Sequence, residues 1–315
     1  MTVPATITVG PRVRASDGVE IATYHFGGDG PPLMLAHATG FHGRCWLPLA
    51  AELTDEFSVW AVDHRGHGDS GKDPKGVYDD WSVFVDDLQV VLAELGGGVW
   101  RGVGHSMGGA VLLMAEARRP GTFAGLCCYE PVVIPPGMLA EAPGSEPSAA
   151  GSQGEGSSGN KGSLMSDLAR KRRAVFESKA AARANYASKP PFSRFDPVAL
   201  DAYVEYGFVD CDDGVTLACA REDEASVYEG ATTNDSWDSL PHVRVPVTVL
   251  GGQDSIDPVG RLVEDVARRI PRGAAIRVEG AGPFGPFEAP GRVAELAAEG
   301  LGAGKRRLGR YTLRP

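Results

Sequence analysis

The chain has 315 residues, enough to bury a large core as one domain or as a core with a subdomain. Its 43% apolar and 23% charged content is ordinary for a soluble globular protein, and a formal net charge of -10 argues against nucleic acid as a main partner. No apolar run approaches the roughly 18 residues of a membrane span. Met1 to Val13 lacks the charged and then apolar pattern of a signal peptide. The five cysteines, Cys45, Cys127, Cys128, Cys211 and Cys219, are scattered and odd in number. Cys127 and Cys128 lie inside an apolar run, where a free cysteine behaves as a small core residue. This usage suits a reducing cytosol, so a cytoplasmic protein is expected.

In chain order, Thr6 to Arg14 and Val19 to Phe26 are rich in β-branched residues, with Ser16-Asp17-Gly18 between them as turn chemistry. A hairpin is expected there. Leu33 to Ala36 is a short apolar run that ends in His37-Ala38-Thr39-Gly40-Phe41, and Phe57 to Val62 ends in the loop Asp63 to Ser70. Short apolar runs that end in glycine-bearing loops read as buried parallel strands. Asp80 to Leu95 places Phe84, Leu88, Val91, Leu92 and Leu95 at helical spacing, and Gly96-Gly97-Gly98 stops it. Val99 to Gly104 reads as a strand that runs straight into Ser106. A helix over about 109–118 follows, then a strand over Ala124 to Tyr129 that ends at Glu130-Pro131. This alternation predicts a doubly wound, mostly parallel α/β sheet.

The alternation then breaks. Residues 140–163 are rich in Gly, Ser, Ala, Pro and Glu and nearly empty of large apolar side chains, so a flexible surface loop is expected. Leu164 to Ala187 reads as one basic helix, with Arg170, Lys171, Arg172 and Arg173 on a solvated face, and Lys189-Pro190-Pro191-Phe192 breaks it. Helical spacing resumes over Asp196 to Gly207. Sheet character returns over Val243 to Leu250, which ends in Gly251-Gly252-Gln253-Asp254, and again over Ala274 to Val278; Arg292 to Leu301 is the closing helix. The expected organisation is a core of residues 1–131 and 241–304, a mostly helical cap over 132–240, and a basic tail over 305–315 carrying Lys305, Arg306, Arg307, Arg310 and Arg314.

Four segments in this order carry a resemblance: His37 to Phe41, Asp63 to Ser70, Gly104-His105-Ser106-Met107-Gly108-Gly109, and Gly252-Gln253-Asp254. From about Thr6 to Leu301 the chain resembles an α/β-hydrolase-fold protein of the serine-nucleophile branch with a cap. The resemblance implies Ser106 as nucleophile on a strained strand-to-helix turn, with the Met107 N–H as one oxyanion donor. The second donor is expected from the His37 to Phe41 turn, with Phe41 N–H as first choice and Thr39 N–H as second. Asp63, Arg65, Gly66 and Gly68 resemble the loop that buttresses this side. The triad acid is Asp254 at the usual strand end, or alternatively Glu130, which ends the strand before the cap. No cofactor and no metal site is implied.

One residue departs from the pattern. The triad histidine should stand in the loop after the last strand, and there the chain reads Gly280-Ala281-Gly282-Pro283. Proline can neither accept nor donate a proton. The histidines are His25, His37, His42, His64, His67, His105 and His242, and only His37, His42 and His67 are expected anywhere near the site. His37 reads as an organiser of its loop, and the side chain of His105 should point away from the pocket. In subtilisin, loss of the triad histidine costs about a million-fold in kcat, roughly 8 kcal/mol. The expected function is therefore hydrolysis of a small carboxylic ester, lactone or thioester, impaired by the missing base. The alternatives are a ligand-binding pseudo-hydrolase and a non-hydrolytic lyase or cyclase that uses the oxyanion hole. A serine at the elbow disfavours epoxide hydrolysis and dehalogenation, which use an aspartate there.

Overall fold

Short apolar runs with glycine-bearing ends become the strands of one sheet. The computed structural model describes residues 7–96, 98–136, 138, 164–255 and 258–302. The loop expected over 140–163 and the basic tail from Lys305 onward lie outside the described residues.

In chain order the elements are β1 (Thr8–Val9), β2 (Val13–Arg14), β3 (Glu20–Ile21), β4 (Thr23–Gly27), β5 (Pro32–Ala36), α1 (Leu47–Leu53), β6 (Ser58–Val62), α2 (Ser82–Glu94), β7 (Trp100–His105), α3 (Met107–Arg118) and β8 (Phe123–Tyr129). An insertion follows, with α4 (Leu164–Lys171), β9 (Val175–Phe176), α5 (Lys179–Ala187), α6 (Pro197–Gly207), β10 (Phe208–Cys211), β11 (Gly214–Leu217), α7 (Arg221–Glu229) and α8 (Ser236–Ser239). The chain then returns to the sheet with β12 (Val247–Gly252), α9 (Val263–Arg269), β13 (Gly273–Val278), α10 (Gly285–Glu288) and α11 (Pro290–Gly300).

Among the described residues the main sheet has eight strands in the order β1-β4-β6-β5-β7-β8-β12-β13. β1, β4 and β6 pair antiparallel, and every pairing from β6 to β13 is parallel. Helices cover both faces, as a parallel sheet requires. α1 and α11 pack with the core on one face, through Leu49, Leu53, Val293 and Leu296. α2, α3 and α9 cover the other, through Phe84, Leu88, Leu112, Val263 and Val266. α3 is buried on nearly all sides, from Met107 to Glu116, which explains why its sequence shows no polar stripe. Parallel strands place all their C-terminal ends on one edge. The loops after β5, β6, β7, β8, β12 and β13 therefore meet there, and they carry the candidate site.

The structure refines three expectations. The hairpin is divided into four short strands, with β2 paired to β3 and β1 to β4. The single basic helix expected over Leu164 to Ala187 is two helices, because the chain extends at β9 to pair with β11. The insertion also holds a three-stranded antiparallel sheet, β10-β11-β9, where a mostly helical cap was expected. β9 is a two-residue strand, too short to show a period-two pattern.

Candidate active site

The turn after β7 is strained at Ser106. Ser106 has φ 55° and ψ -120°, a conformation that non-glycine residues rarely adopt. Its N–H donates to Tyr129 O at 3.0 Å, and its carbonyl accepts from Ala110 N at 3.2 Å and Val132 N at 3.1 Å. Glycines make the turn possible. A Cβ on Gly104 would lie 2.7 Å from the backbone of Gly109, and one on Gly108 would lie 2.2 Å from Ala36 O and 2.6 Å from His37 O. These close approaches press the start of α3 against both β7 and the end of β5. Met107 is the first residue of α3, where an N–H has no intrahelical acceptor and the helix dipole favours negative charge.

The loop after β5 lies against this turn. The Thr39 hydroxyl approaches Met107 Sδ at 3.6 Å, and both side chains are buried. Phe41 N–H donates to Ala38 O at 3.1 Å, so that amide closes a turn instead of facing an empty site. The Phe41 ring stacks on Phe287 at 5.0 Å and meets Phe192, Phe195, Tyr203 and Phe284. It thus joins the insertion to the segment that follows Pro283.

The loop after β6 is structural. Asp63 is fully buried and accepts from Gly43 N (2.6 Å), Tyr24 OH (2.6 Å) and Asp69 N (2.7 Å). Burial raises its pKa despite these donors. Arg65 makes a two-pronged contact with Asp87, at 2.6 Å on both arms, and a third bond to Asp17 at 2.7 Å.

Asp254 follows β12. Its N–H donates to Ala281 O at 3.0 Å, which sets the strand end beside the loop that carries Pro283. Its carboxylate is half-exposed and pairs with Arg194 of the insertion at 3.2 Å. Glu130 has φ 40° and is buried. Its Oε1 accepts from Gly252 N at 2.8 Å and from the Ser255 hydroxyl, so it braces the strand end from which Asp254 projects. Pro283 itself is clamped. Gly282 N donates to Glu288 Oε2 at 2.8 Å, Gly282 O accepts from Tyr129 OH at 2.7 Å, and Pro283 O accepts from His105 Nε2 at 2.9 Å.

Each histidine has a place, and none of their ring nitrogens hydrogen-bonds the Ser106 hydroxyl among the described residues. His37 Nδ1 donates to Ala38 O at 2.8 Å, and its Nε2 accepts from His64 N at 2.9 Å, so both nitrogens serve the backbone. His42 contacts Tyr203 O and Cys45 Sγ. His67 Nδ1 bonds Arg65 O at 3.0 Å. His25 stacks on Trp60, and His242 is an exposed residue ahead of β12. Burial lowers the pKa of His42 to about 4, of His64 to about 3 and of His67 to about 4, and pushes His37 well below 6.5. The buried thiols are no substitute nucleophiles, since burial pushes Cys127 up to about 12 and Cys128 and Cys219 well above 9.0.

A family model described as the alpha/beta hydrolase family matches residues 33–296. The chain belongs to that family. Monoglyceride lipase of Homo sapiens is 32% identical over 133 residues, which cover 39% of this chain and 43% of that protein. Lipase LipV of Mycobacterium tuberculosis is 34% identical over 116 residues, 36% of this chain and 43% of that protein. The matches thus span less than half the length of these curated relatives. A crystal structure of E-2-(acetamidomethylene)succinate hydrolase superposes with a TM-score of 0.74 at 20% identity, over 93% of this chain and 98% of that one. At that identity the likeness is one of fold.

In this alpha/beta hydrolase the insertion supplies side chains that sequence reasoning missed. The basic run is not a free solvated face. Arg172 reaches Tyr203 OH at 2.6 Å, Tyr186 OH at 3.0 Å and Glu224 at 2.5 Å, next to Gly40. Arg170 pairs with Glu222 and Glu229, and Arg173 lies over the Phe176 ring. Arg194 and Glu288 were also missed, although Glu288 stands only five residues after Pro283. Among the described residues no helix is long and apolar enough to cross a membrane.

Proposed function

We propose that this hydrolase-family chain binds a small carboxylic ester, lactone or thioester at Ser106 and hydrolyses it slowly, because the triad base is absent. The observation that carries the reading is Pro283. It stands where a base is needed, while the rings of His37, His42, His67 and His105 are engaged elsewhere. Ser106 is the nucleophile, Met107 N–H one oxyanion donor and Asp254 the acid. Glu130 is better suited to bracing, since its carboxylate is held by Gly252 and Ser255. For the second oxyanion donor Thr39 N–H is preferred to Phe41 N–H, which bonds Ala38 O. Residues 132–240 act as a cap that shapes the acyl pocket.

Relatives named as lipases support an ester-hydrolysing chemistry. The five free cysteines suit a reducing compartment, so we place the protein in the cytoplasm. The formal charge of -10 disfavours nucleic acid as a partner.

The test is turnover of p-nitrophenyl acetate and butyrate by the chain and by Ser106→Ala. Oxyanion stabilisation and binding alone leave about 10³–10⁴ over water in a triad enzyme stripped of its residues. The expected rate lies in that residual range. Ser106-dependent turnover at an ordinary kcat of about 1–10³ s⁻¹ would overturn the reading.

A further inference from the structure

In a working triad the acid accepts a hydrogen bond from the histidine and stabilises the imidazolium that forms. Here the partner of Asp254 comes from the insertion. A single nitrogen of Arg194, Nη2, lies 3.2 Å from Asp254 Oδ2, 2.9 Å from Gly280 O and 3.0 Å from Glu288 Oε2. Glu288 is only 4% exposed, and the same Oε2 also accepts from Gly282 N. One guanidinium therefore ties together the acid, the start of the loop and a buried carboxylate that fixes the residue before Pro283.

The segment around Arg194 is seated on this loop by independent contacts. Asp196 N–H donates to Phe287 O at 2.7 Å. The Phe195 ring packs on Phe284 at 5.7 Å and Phe287 at 5.5 Å. Arg194 is thus presented from a fixed base and does not depend on its ion pairs for its position.

We infer that Arg194 is a positioning residue that has taken the histidine's place as partner of Asp254, so that a histidine returned to position 283 alone would find its acid occupied. Two effects act together. The guanidinium holds the carboxylate oxygen that an imidazole N–H would need. Its charge beside the loop also disfavours an imidazolium there. Arg194 and Asp254 are about half-exposed, so that pair adds little to stability, and Glu288 keeps the Gly282 N–H when Arg194 is removed, so the fold should stay intact. The inference rests on reading Ser106, Asp254 and position 283 as the three triad places.

The experiment uses Pro283→His alone and combined with Arg194→Gln or Arg194→Lys, and follows the new imidazole by NMR titration. In Pro283→His alone the imidazole is expected to titrate at or below about 6.5. Adding Arg194→Gln should raise that value by about a unit, as an opposite charge a few ångströms away does. Adding Arg194→Lys should keep it low, and adding Asp254→Asn to the Gln variant should remove most of the rise, leaving only the part due to the lost guanidinium charge. An unchanged titration on Arg194→Gln overturns the inference, and so does a rise that survives Asp254→Asn in full. With p-nitrophenyl butyrate, the Pro283→His/Arg194→Gln protein should exceed Pro283→His in kcat at least about tenfold, with KM little changed. If the titration shifts as expected but no variant gains esterase activity, the inference about Arg194 stands and the reading of the site as an impaired esterase fails.

Discussion

His105 Nε2 lies 2.9 Å from the carbonyl oxygen of Pro283, so the residue before Ser106 is bonded to the loop after β13. The ring sits edge-on to Tyr129, Phe284 and Phe287 at 5.6 to 5.8 Å, away from solvent. The strand that presents Ser106 and the loop at 283 are therefore one packed unit, with imidazole as a spacer that also donates.

This geometry makes His105→Phe informative. Phenylalanine keeps the aromatic packing and loses the donor to Pro283 O. The expected loss is about 1 kcal/mol, the usual net value of one hydrogen bond. Urea denaturation should show a lower midpoint with an unchanged slope. A midpoint equal to that of the parent protein would mean that the bond contributes nothing.

Four of the five histidines buried among the described residues make stability depend on pH. His42, His64 and His67, with pKa values held near 4, 3 and 4, and His37, also well below 6.5, stay neutral in the folded chain at pH values where the unfolded chain is protonated. A depressed pKa gives stability that is complete above the unfolded value of about 6.5 and is lost as pH falls toward the folded values. Each pH unit over which the unfolded chain holds one extra proton costs about 1.4 kcal/mol. Denaturation at pH 7.0 and 5.0 should show a clear fall in midpoint, and His64→Gln should reduce the difference. A flat profile across this window would contradict the burial of these rings.

Close packing at the elbow makes Gly108→Ala costly. The new Cβ would meet two backbone oxygens, Ala36 O at 2.2 Å and His37 O at 2.6 Å, and neither can step aside as a side chain could. Overpacking of this kind costs about 1–3 kcal/mol and should displace α3 from β5. Gly291→Ala, near the start of α11, meets nothing within 4 Å and should stabilise by about 0.4–1 kcal/mol through the unfolded state. Thermal melts of the two variants should move in opposite directions; a shared direction would argue against the close approach at Gly108.

Particular elements show what could be read in advance. The elbow was legible because its requirements are local: Gly104, Ser106, Gly108 and Gly109 fall within six residues, and β7 and α3 begin and end within two residues of the expected limits. The strands of the parallel sheet were legible from short apolar runs, which need only their own burial. The hairpin was legible in kind but not in its division into β1 to β4, because strand ends depend on what pairs with them. β9 was hidden inside a basic helical stretch, and pairing with β11, about forty residues away, overrode local helix propensity.

The sequence by itself determined the family and the strand-to-helix turn at Ser106, because both rest on residue identity at fixed spacing. Pro283 lacks a proton-transfer group in any conformation. Only the tertiary structure decided which groups stand around Pro283. Arg194 and Asp254 are sixty residues apart in the chain, and the fold brings them to 3.2 Å. His105 and Pro283 are separated by 178 residues and share a hydrogen bond. Side chains of either charge occur throughout such a sequence, and pairing among them follows from chain packing, which spacing along the chain does not encode.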